Sequence, residues 1–367
     1  MEKVRLGDIC IKGSSNIAQK DLEDCDGSYP IYGASGLIKY VDFYKQDKPY
    51  IAVVKDGAGV GRIMRLPAKS SIIGTMQYIF PNENVDIGFL AYALEYLNLG
   101  RYFSGATIPH IYFKDYSKET LPNYTLEEEK HITGILDKIS LLMDMRRQQL
   151  EKLDTLVKSQ FIEMFGNPIE NERGFKTCKI GELFKVRSSK RVYQSQLTND
   201  GVPFYKVADL ISQIDGRIQA CKTFITQELF DDFSDKGLVP QTGDILMTTR
   251  GTIGKCYIFA ENDEFYFQDG MISWFQPITD KILSEFFVAL FEHEAFQPAI
   301  EASVNHTTVT YASIEKLSQI PIICPDIEIQ KQFIRIEQQA DKSKFAIQQS
   351  LDKLETLKKA LMQKYFG

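Results

Sequence analysis

The sequence predicts an α+β chain: two similar globular units, β-rich with short helices, separated by two long antiparallel helices that form a coiled-coil-like rod, the whole an internal pseudo-two-fold repeat. Three observations predict it. The stretch Leu126–Gly166 recurs without a gap as Ile327–Gly367, at a constant offset of 201 (327 − 126), with matches at Glu127/Glu328, Lys130/Lys331, Ile135/Ile336, Leu150/Leu351, Leu153/Leu354, Thr155/Thr356, Leu156/Leu357 and Phe165/Phe366. Both copies lack proline and Gly134 is the only internal glycine, so each can form one helix about 60 Å long. The segments before each copy also repeat, in the same order.

Taken in order, Lys3–Ile9 (KVRLGDI) has the shape of Thr177–Leu183 (TCKIGEL), a strand-like start running into a short amphipathic turn. Ser28–Gly33 (SYPIYG) parallels Gly201–Lys206 (GVPFYK), with Pro30 matching Pro203 and Tyr32 matching Tyr205. Tyr50–Ile63 and Asp244–Ile258 each read as a strand, a glycine-containing turn and a returning strand. Gly74–Pro81 lies over Gly270–Pro277. Phe89–Leu97 and Phe286–Glu294 read as helices, and Ser104–Pro122 sits over Ser303–Pro321.

In each long helix one apolar stripe needs a partner. With Ile132 as heptad position a, the a, d and e sites of the first copy hold Ile132, Ile135, Leu136, Ile139, Leu142, Met143, Leu150, Leu153, Leu156 and Val157, with a polar break at Arg146 and Gln149. The second copy places Phe333, Ile336, Ala340, Ile347, Leu351, Leu354, Leu357, Leu361 and Tyr365 at the same sites. A helix this long cannot cover such a stripe by itself, so the economical arrangement packs the two copies on each other. Identical patches meet most simply about a two-fold axis, which makes the pair antiparallel and puts the globular units at opposite ends. Gly166, followed by Asn167 and Pro168, closes the first helix. The expected divisions are 1–125, 126–166, 167–325 and 326–367.

Composition excludes several functions. Six scattered cysteines form no CxxC pair, which fits a reducing cytoplasm, and no run of about 18 apolar residues points to a membrane span. The net charge is −6. Residues 1–125 carry 14 basic and 14 acidic groups and 167–325 carry 15 and 21, so any nucleic-acid binding needs local patches or a more basic partner.

Catalytic motifs are missing. Gly57–Gly61 (GAGVG) sits between strands and lacks the spacing of a dinucleotide loop, and Gly251–Cys256 breaks the phosphate-loop pattern at Thr249 and Cys256. The four histidines, His110, His131, His293 and His306, have no i, i+4 partner and no neighbouring Cys or Asp constellation in sequence. No G-x-S-x-G elbow occurs, and Asn167–Ile169 does not complete the tetrad of a base-modifying methyltransferase. The chain reads as a non-enzyme with no metal and no cofactor.

The segment order, with Tyr29–Gly36 (YPIYGASG), Val53–Gly61 (VVKDGAGVG), Ser159–Pro168 (SQFIEMFGNP) and Thr248–Lys255 (TTRGTIGK), resembles the specificity subunit of type I restriction-modification systems over essentially the whole chain. That resemblance implies a cytoplasmic, non-catalytic subunit with two target-recognition domains. Each reads one half of a split double-stranded DNA site, and the paired long helices hold them apart. It also implies two methyltransferase subunits docked on those helices, with ATP-dependent restriction subunits completing the nuclease. Partners that clamp the duplex would supply much of the phosphate neutralisation, leaving this chain to read base edges.

Base edges in the major groove are read by Arg or Lys on guanine, Asn or Gln on adenine, and hydroxyls or carboxylates elsewhere. In the first unit the residues of that chemistry expected on loops are Lys12, Ser14, Tyr32, Ser35, Lys55, Asp56, Arg62, Gln77 and His110. In the second they are Arg187, Lys190, Arg191, Lys206, Arg250, Thr252, Lys255, Gln268, Asn305, His306 and Thr307, with Lys185–Arg191 as the most basic patch. The competing reading is a scaffold whose globular units bind protein rather than DNA.

Overall fold

A computed structural model of the chain describes residues 2–105, 109–217, 221–306 and 310–367, without the side chains of 304–306 and 310–312. Two helices of 40 residues, Leu126–Phe165 and Ile327–Phe366, are the longest elements. The first is opened by a capping box: the Glu128 carboxylate accepts from the Thr125 backbone N–H and hydroxyl, each at 2.8 Å. Gly166 closes it in the left-handed region at φ +69°, its N–H donating to the Ile162 carbonyl at 2.8 Å.

The chain divides into two compact units, Met1–Leu150 with Ala346–Gly367, and Glu151–Phe345. Each unit therefore contains a segment of both long helices. In the first unit Met362 and Phe366 pack with Ile132 and Leu136, whereas Leu351 packs with Ile139 and Met143. The segments there run antiparallel. In the second unit Lys344 pairs with Asp154 at 2.7 Å, and Phe333 meets Phe161 and Phe165 at ring separations of 5.4 and 5.6 Å, which is again antiparallel.

One feature of the expected seam is corrected. Leu142, Leu156 and Leu357, assigned to d sites, are exposed at 44%, 48% and 47%, while Leu136 and Met143 at e sites are buried. In the first helix the a and e residues Ile132, Leu136, Ile139 and Met143 are buried, while of the d row Ile135 still packs beside them and Leu142 and Leu156 turn outward; toward the helix C-termini the buried contacts shift to the b and f sites of Phe161, Phe165, Met362 and Phe366. The second helix carries Glu337, Lys344 and Lys358 on its e row, where the first has Leu136, Met143 and Val157 at the matched positions.

Glu337 makes this mismatch measurable. Burial first, then the nearby Asp341, Glu292 and Glu285 carboxylates, push its pKa up to about 7 against the opposing pull of Lys344. A carboxyl raised above its ordinary value stabilises the fold fully below the unfolded value and loses that contribution as pH rises toward 7. We expect the urea midpoint to fall from ~pH 5 to ~pH 8. Glu337→Leu, the residue its matched position Leu136 already carries, should flatten part of that slope. Glu129, pushed up to about 7 by burial, and Glu292 and Asp244, also raised by burial, contribute in the same direction. An unchanged slope in equilibrium unfolding would remove Glu337 as its source.

In the first unit a four-stranded antiparallel sheet runs Cys10–Ser14, Met76–Pro81, Tyr50–Val54, Ile63–Leu66, and a three-stranded sheet runs Gly36–Val41, Tyr29–Gly33, Ser71–Ile72. Helix Ile87–Tyr96 buries Phe89, Leu90 and Leu94 in the unit's core with the long-helix residues Ile132 and Leu136. Gly88 permits its close approach, since a Cβ there would lie 2.2 Å from the Thr133 methyl. Asp137 accepts from Arg65 at 2.5 Å and from the Tyr92 hydroxyl at 2.7 Å, fixing the sheet edge and that helix to the long helix.

The second unit repeats the frame: Phe184–Ser188, Ile272–Pro277, Ile245–Thr248, Cys256–Ile258. The registers correspond, with Cys10 opposite Pro81 matching Phe184 opposite Pro277, and Ile51 opposite Ile79 matching Ile245 opposite Phe275. The parallel pair Tyr29–Gly33 with Ser71–Ile72 recurs as Val202–Tyr205 with Tyr266–Phe267. Between matched strands, however, the second unit inserts helices Val207–Ile214 and Gln227–Asp235 where the first has only the hairpin strand Gly36–Val41. Among the described residues no helix is long and apolar enough to cross a membrane.

Candidate nucleic-acid interface

The glycine-rich turns carry Lys55, Asp56 and Arg62 in the first unit and Arg250, Thr252 and Lys255 in the second. In the first unit the turn leaves strand Tyr50–Val54 and returns at Ile63. Val54 donates its N–H to the Arg62 carbonyl at 3.0 Å and accepts from Gly61 N–H at 2.8 Å. In the second unit Thr248 donates to the Lys255 carbonyl at 2.9 Å and accepts from Gly254 N–H at 2.9 Å. Lys55 N–H reaches the Thr75 carbonyl at 3.0 Å, and Thr249 N–H reaches the equivalent Met271 carbonyl at 2.9 Å. Gly61 and Gly254 both sit at φ +87°, a conformation that disfavours any side chain. These are one backbone device built twice.

Around the first turn, the structure brings together residues far apart in sequence. Lys55 Nζ pairs with Asp56 at 2.8 Å, and His110 Nδ1 bonds to the other Asp56 oxygen. This corrects the expectation that His110 has no Asp constellation: its partner lies 54 residues away, out of reach of any local pattern. Arg62 is exposed and donates to the Ala34 carbonyl at 2.7 Å, tying the turn to the hairpin that bears exposed Ser35. Tyr32 is half-buried on the adjacent strand, and burial raises its hydroxyl pKa. Lys12 and Ser14 are exposed on strand Cys10–Ser14, Ser14 lying opposite Gln77. Gln77 is itself buried, its amide bonding to the Tyr116 hydroxyl, so it joins the interior polar network and not the surface of the turn.

Around the second turn, Thr252 and Lys255 are exposed and Arg250 is half-buried, one guanidinium nitrogen 3.3 Å from Met271 Sδ. No ion pair to Arg250 occurs among the described residues. Arg187 is positioned differently from a loop residue. Its guanidinium lies 3.6 Å from the Trp274 ring centroid and donates to the Gly237 carbonyl at 2.7 Å, and burial lowers its pKa. Lys190 and Arg191 are exposed just beyond, Arg191 pairing with Asp269 at 3.3 Å. Lys206 is exposed ahead of helix Val207–Ile214, and half-buried Gln268 donates its backbone N–H to Tyr205 at 2.9 Å. Asn305 and His306 lie on strand Val304–His306; Thr307 lies outside the described residues.

Two groups escaped the sequence reading. Tyr112 is 47% exposed with its ring 4.2 Å from His110, and Lys114 sits over that ring. The alternation His110, Tyr112, Lys114 was the available signal. Asp244 is buried and accepts from Trp274 Nε1 at 2.8 Å; burial raises its pKa, and the Gln241 backbone N–H, Trp274 and Arg187 oppose that rise.

The family model described as the type I restriction modification DNA specificity domain matches residues 1–155 and again 172–359. A putative type I restriction enzyme specificity subunit of Haemophilus influenzae is 22% identical over 345 residues, 92% of this chain and 83% of that protein. Among solved structures, the S subunit of a type I restriction-modification system from M. genitalium superposes with TM-score 0.61 at 15% identity, covering 100% of this chain and 96% of the other. A chain from a structure described in terms of complex assembly and conformational transition of the type I system gives TM-score 0.56 at 15% identity, covering 99% and 97%. At these identities the two structures establish the fold alone.

Proposed function

We propose, because the chain belongs to the type I restriction-modification DNA specificity family, that its two units are target-recognition domains, each reading one half of a two-part DNA site. The chain is a DNA-sequence specificity subunit. One observation supports the division of labour: the sheet registers and glycine turns are duplicated, while the side chains mounted on the turns differ, Lys55 and Asp56 in one against Thr249 and Arg250 in the other. A shared frame with different polar tips is what two different half-sites require.

In this reading methyl transfer, ATP hydrolysis and strand cleavage belong to partner subunits, and the chain itself is non-catalytic and cytoplasmic. Neither the duplicated turns nor Lys55, Asp56 and His110 supply a nucleophile with its base. The long helices dock two methyltransferase subunits. The outward part of their d row gives the contact: Leu156 and Leu357 are matched by the repeat, and both are half-exposed without a seam role. Leu156→Asp and Leu357→Asp should each weaken methyltransferase association about tenfold, the order expected for one truncated interface anchor, with no change in melting temperature. Equal binding by pull-down titration would move the docking surface elsewhere.

The deciding experiment is a mobility shift of the chain mixed with its methyltransferase over a library of two-part sites. Selective binding to one split sequence supports the reading. Sequence-independent or absent binding at low salt favours a protein-binding scaffold.

A further inference from the structure

The two equivalent turns carry groups of opposite character at the same place. Two residues beyond the strand position that is bonded to the turn's end, the first unit has Asp56 and the second has Arg250 (54 + 2 and 248 + 2). The preceding residues Lys55 and Thr249 make the same backbone bond to the neighbouring strand end, and the glycines that follow, Gly57 with Gly61 and Gly251 with Gly254, have φ values of +81° and +87° against +74° and +87°. The first turn is one residue longer and has a further left-handed glycine, Gly59, but the backbone leading into the two positions is the same. The chemistry there differs.

Arg250 has no ion pair among the described residues and only a soft sulfur neighbour, Met271, which leaves most of its five donors unspent. A planar fork of donors fits the paired O6 and N7 acceptors of guanine, and no other base presents two acceptors side by side in the major groove. Asp56 is an acceptor. Lys55 and His110 each hold one of its oxygens, and the side chain keeps 25% of its surface. A carboxylate offers about four lone-pair directions, so two remain after those bonds. What such a group recognises is an exocyclic amino donor, on cytosine N4 or adenine N6. Lys55 and His110 then act as positioning residues, fixing the carboxylate and offsetting its repulsion from nearby phosphates.

Resting on the specificity-subunit reading, we infer that these turns are a single base-reading element used with reversed polarity: Arg250 selects a guanine in one half-site, and Asp56 selects an amino-bearing base in the other. The consequence is an asymmetric target even though the frame is symmetric.

The test uses the complete chain with its methyltransferase subunits and reads the sequences modified across a randomised two-part library. Arg250→Ala and Arg250→Lys should both relax one position, a guanine in the unmodified preference, by roughly ten- to hundredfold in discrimination. The lysine variant matters because it keeps the charge and folds with the same backbone; a phosphate contact would survive it and a bidentate base contact would not. Asp56→Asn should relax a position in the half-site that the Arg250 variants leave intact. Wild-type selectivity in both Arg250 variants, relaxation at an A·T pair, or relaxation of the same half-site by Asp56→Asn would each overturn the inference while leaving the specificity-subunit reading in place. A wild-type complex that modifies no two-part site would instead overturn that reading, and this inference with it.

Discussion

A heptad inserted into both long helices, after Leu150 in the first and after Phe345 in the second, is expected to abolish modification of the native site and to create a new one whose half-sites are about three base pairs further apart. Those positions are where each helix passes from one compact unit to the other. Seven residues add about 10.5 Å of helix, and DNA rises 3.4 Å per base pair. Seven is also the insertion that preserves the packing row, because the a and e contacts recur every seven residues. A three-residue insertion should do worse than shift the target: it turns the row away from its partner, and the protein should lose stability as well as selectivity. Mapping modified bases in cells carrying the altered chain reads both outcomes. A gap unchanged by the heptad would mean that something other than these helices sets it.

The second large effect is expected at Trp274. Its ring is 1% exposed, carries Arg187 on one face, and donates Nε1–H to buried Asp244. Trp274→Ala should cost about 3–5 kcal/mol through lost packing and a cavity, and it also leaves the Asp244 carboxylate without its indole donor. Trp274→Phe keeps an aromatic ring but removes the N–H together with part of the indole; it should cost less than the alanine variant, about 1–3 kcal/mol for the unsatisfied buried acceptor plus a smaller cavity contribution. Urea unfolding with a probe in each unit should show the loss in the second unit alone. The first unit solves the same problem without charge: Tyr78 stands at the position of Trp274 and meets Tyr50 edge-on at 4.9 Å. A loss shared equally by both units would contradict this placement.

The long helices and the duplicated sheet order were legible because they repeat at fixed offsets, and a repeat reports itself without any knowledge of propensity. The turn between Tyr50–Val54 and Ile63–Leu66 was equally plain from its glycines. The seam was only half legible. Leu142, Leu156 and Leu357 are as apolar as their buried neighbours, and a heptad pattern with three apolar rows does not say which two face inward until the partner is present. Helices Val207–Ile214 and Gln227–Asp235 had no counterpart in the first unit to announce them. The Asp56 with His110 contact and the Trp274 with Asp244 contact join residues 54 and 30 positions apart. No local spacing encodes such pairs; they exist only once the sheet has brought the turns together.

The first unit is made from two separate stretches of the chain, Met1–Leu150 and Ala346–Gly367. Phe89, Ile132 and Leu136 are covered by Met362 and Phe366, which are translated only after the whole second unit. Between Leu150 and Phe366 lie 216 residues (366 − 150), and at roughly 5–20 residues per second their synthesis takes about 10–40 s. For that interval the nascent first unit waits with an apolar surface open, while the second unit is free to complete itself. A stop codon shortly after Phe345 would thus injure the half of the molecule that was translated first.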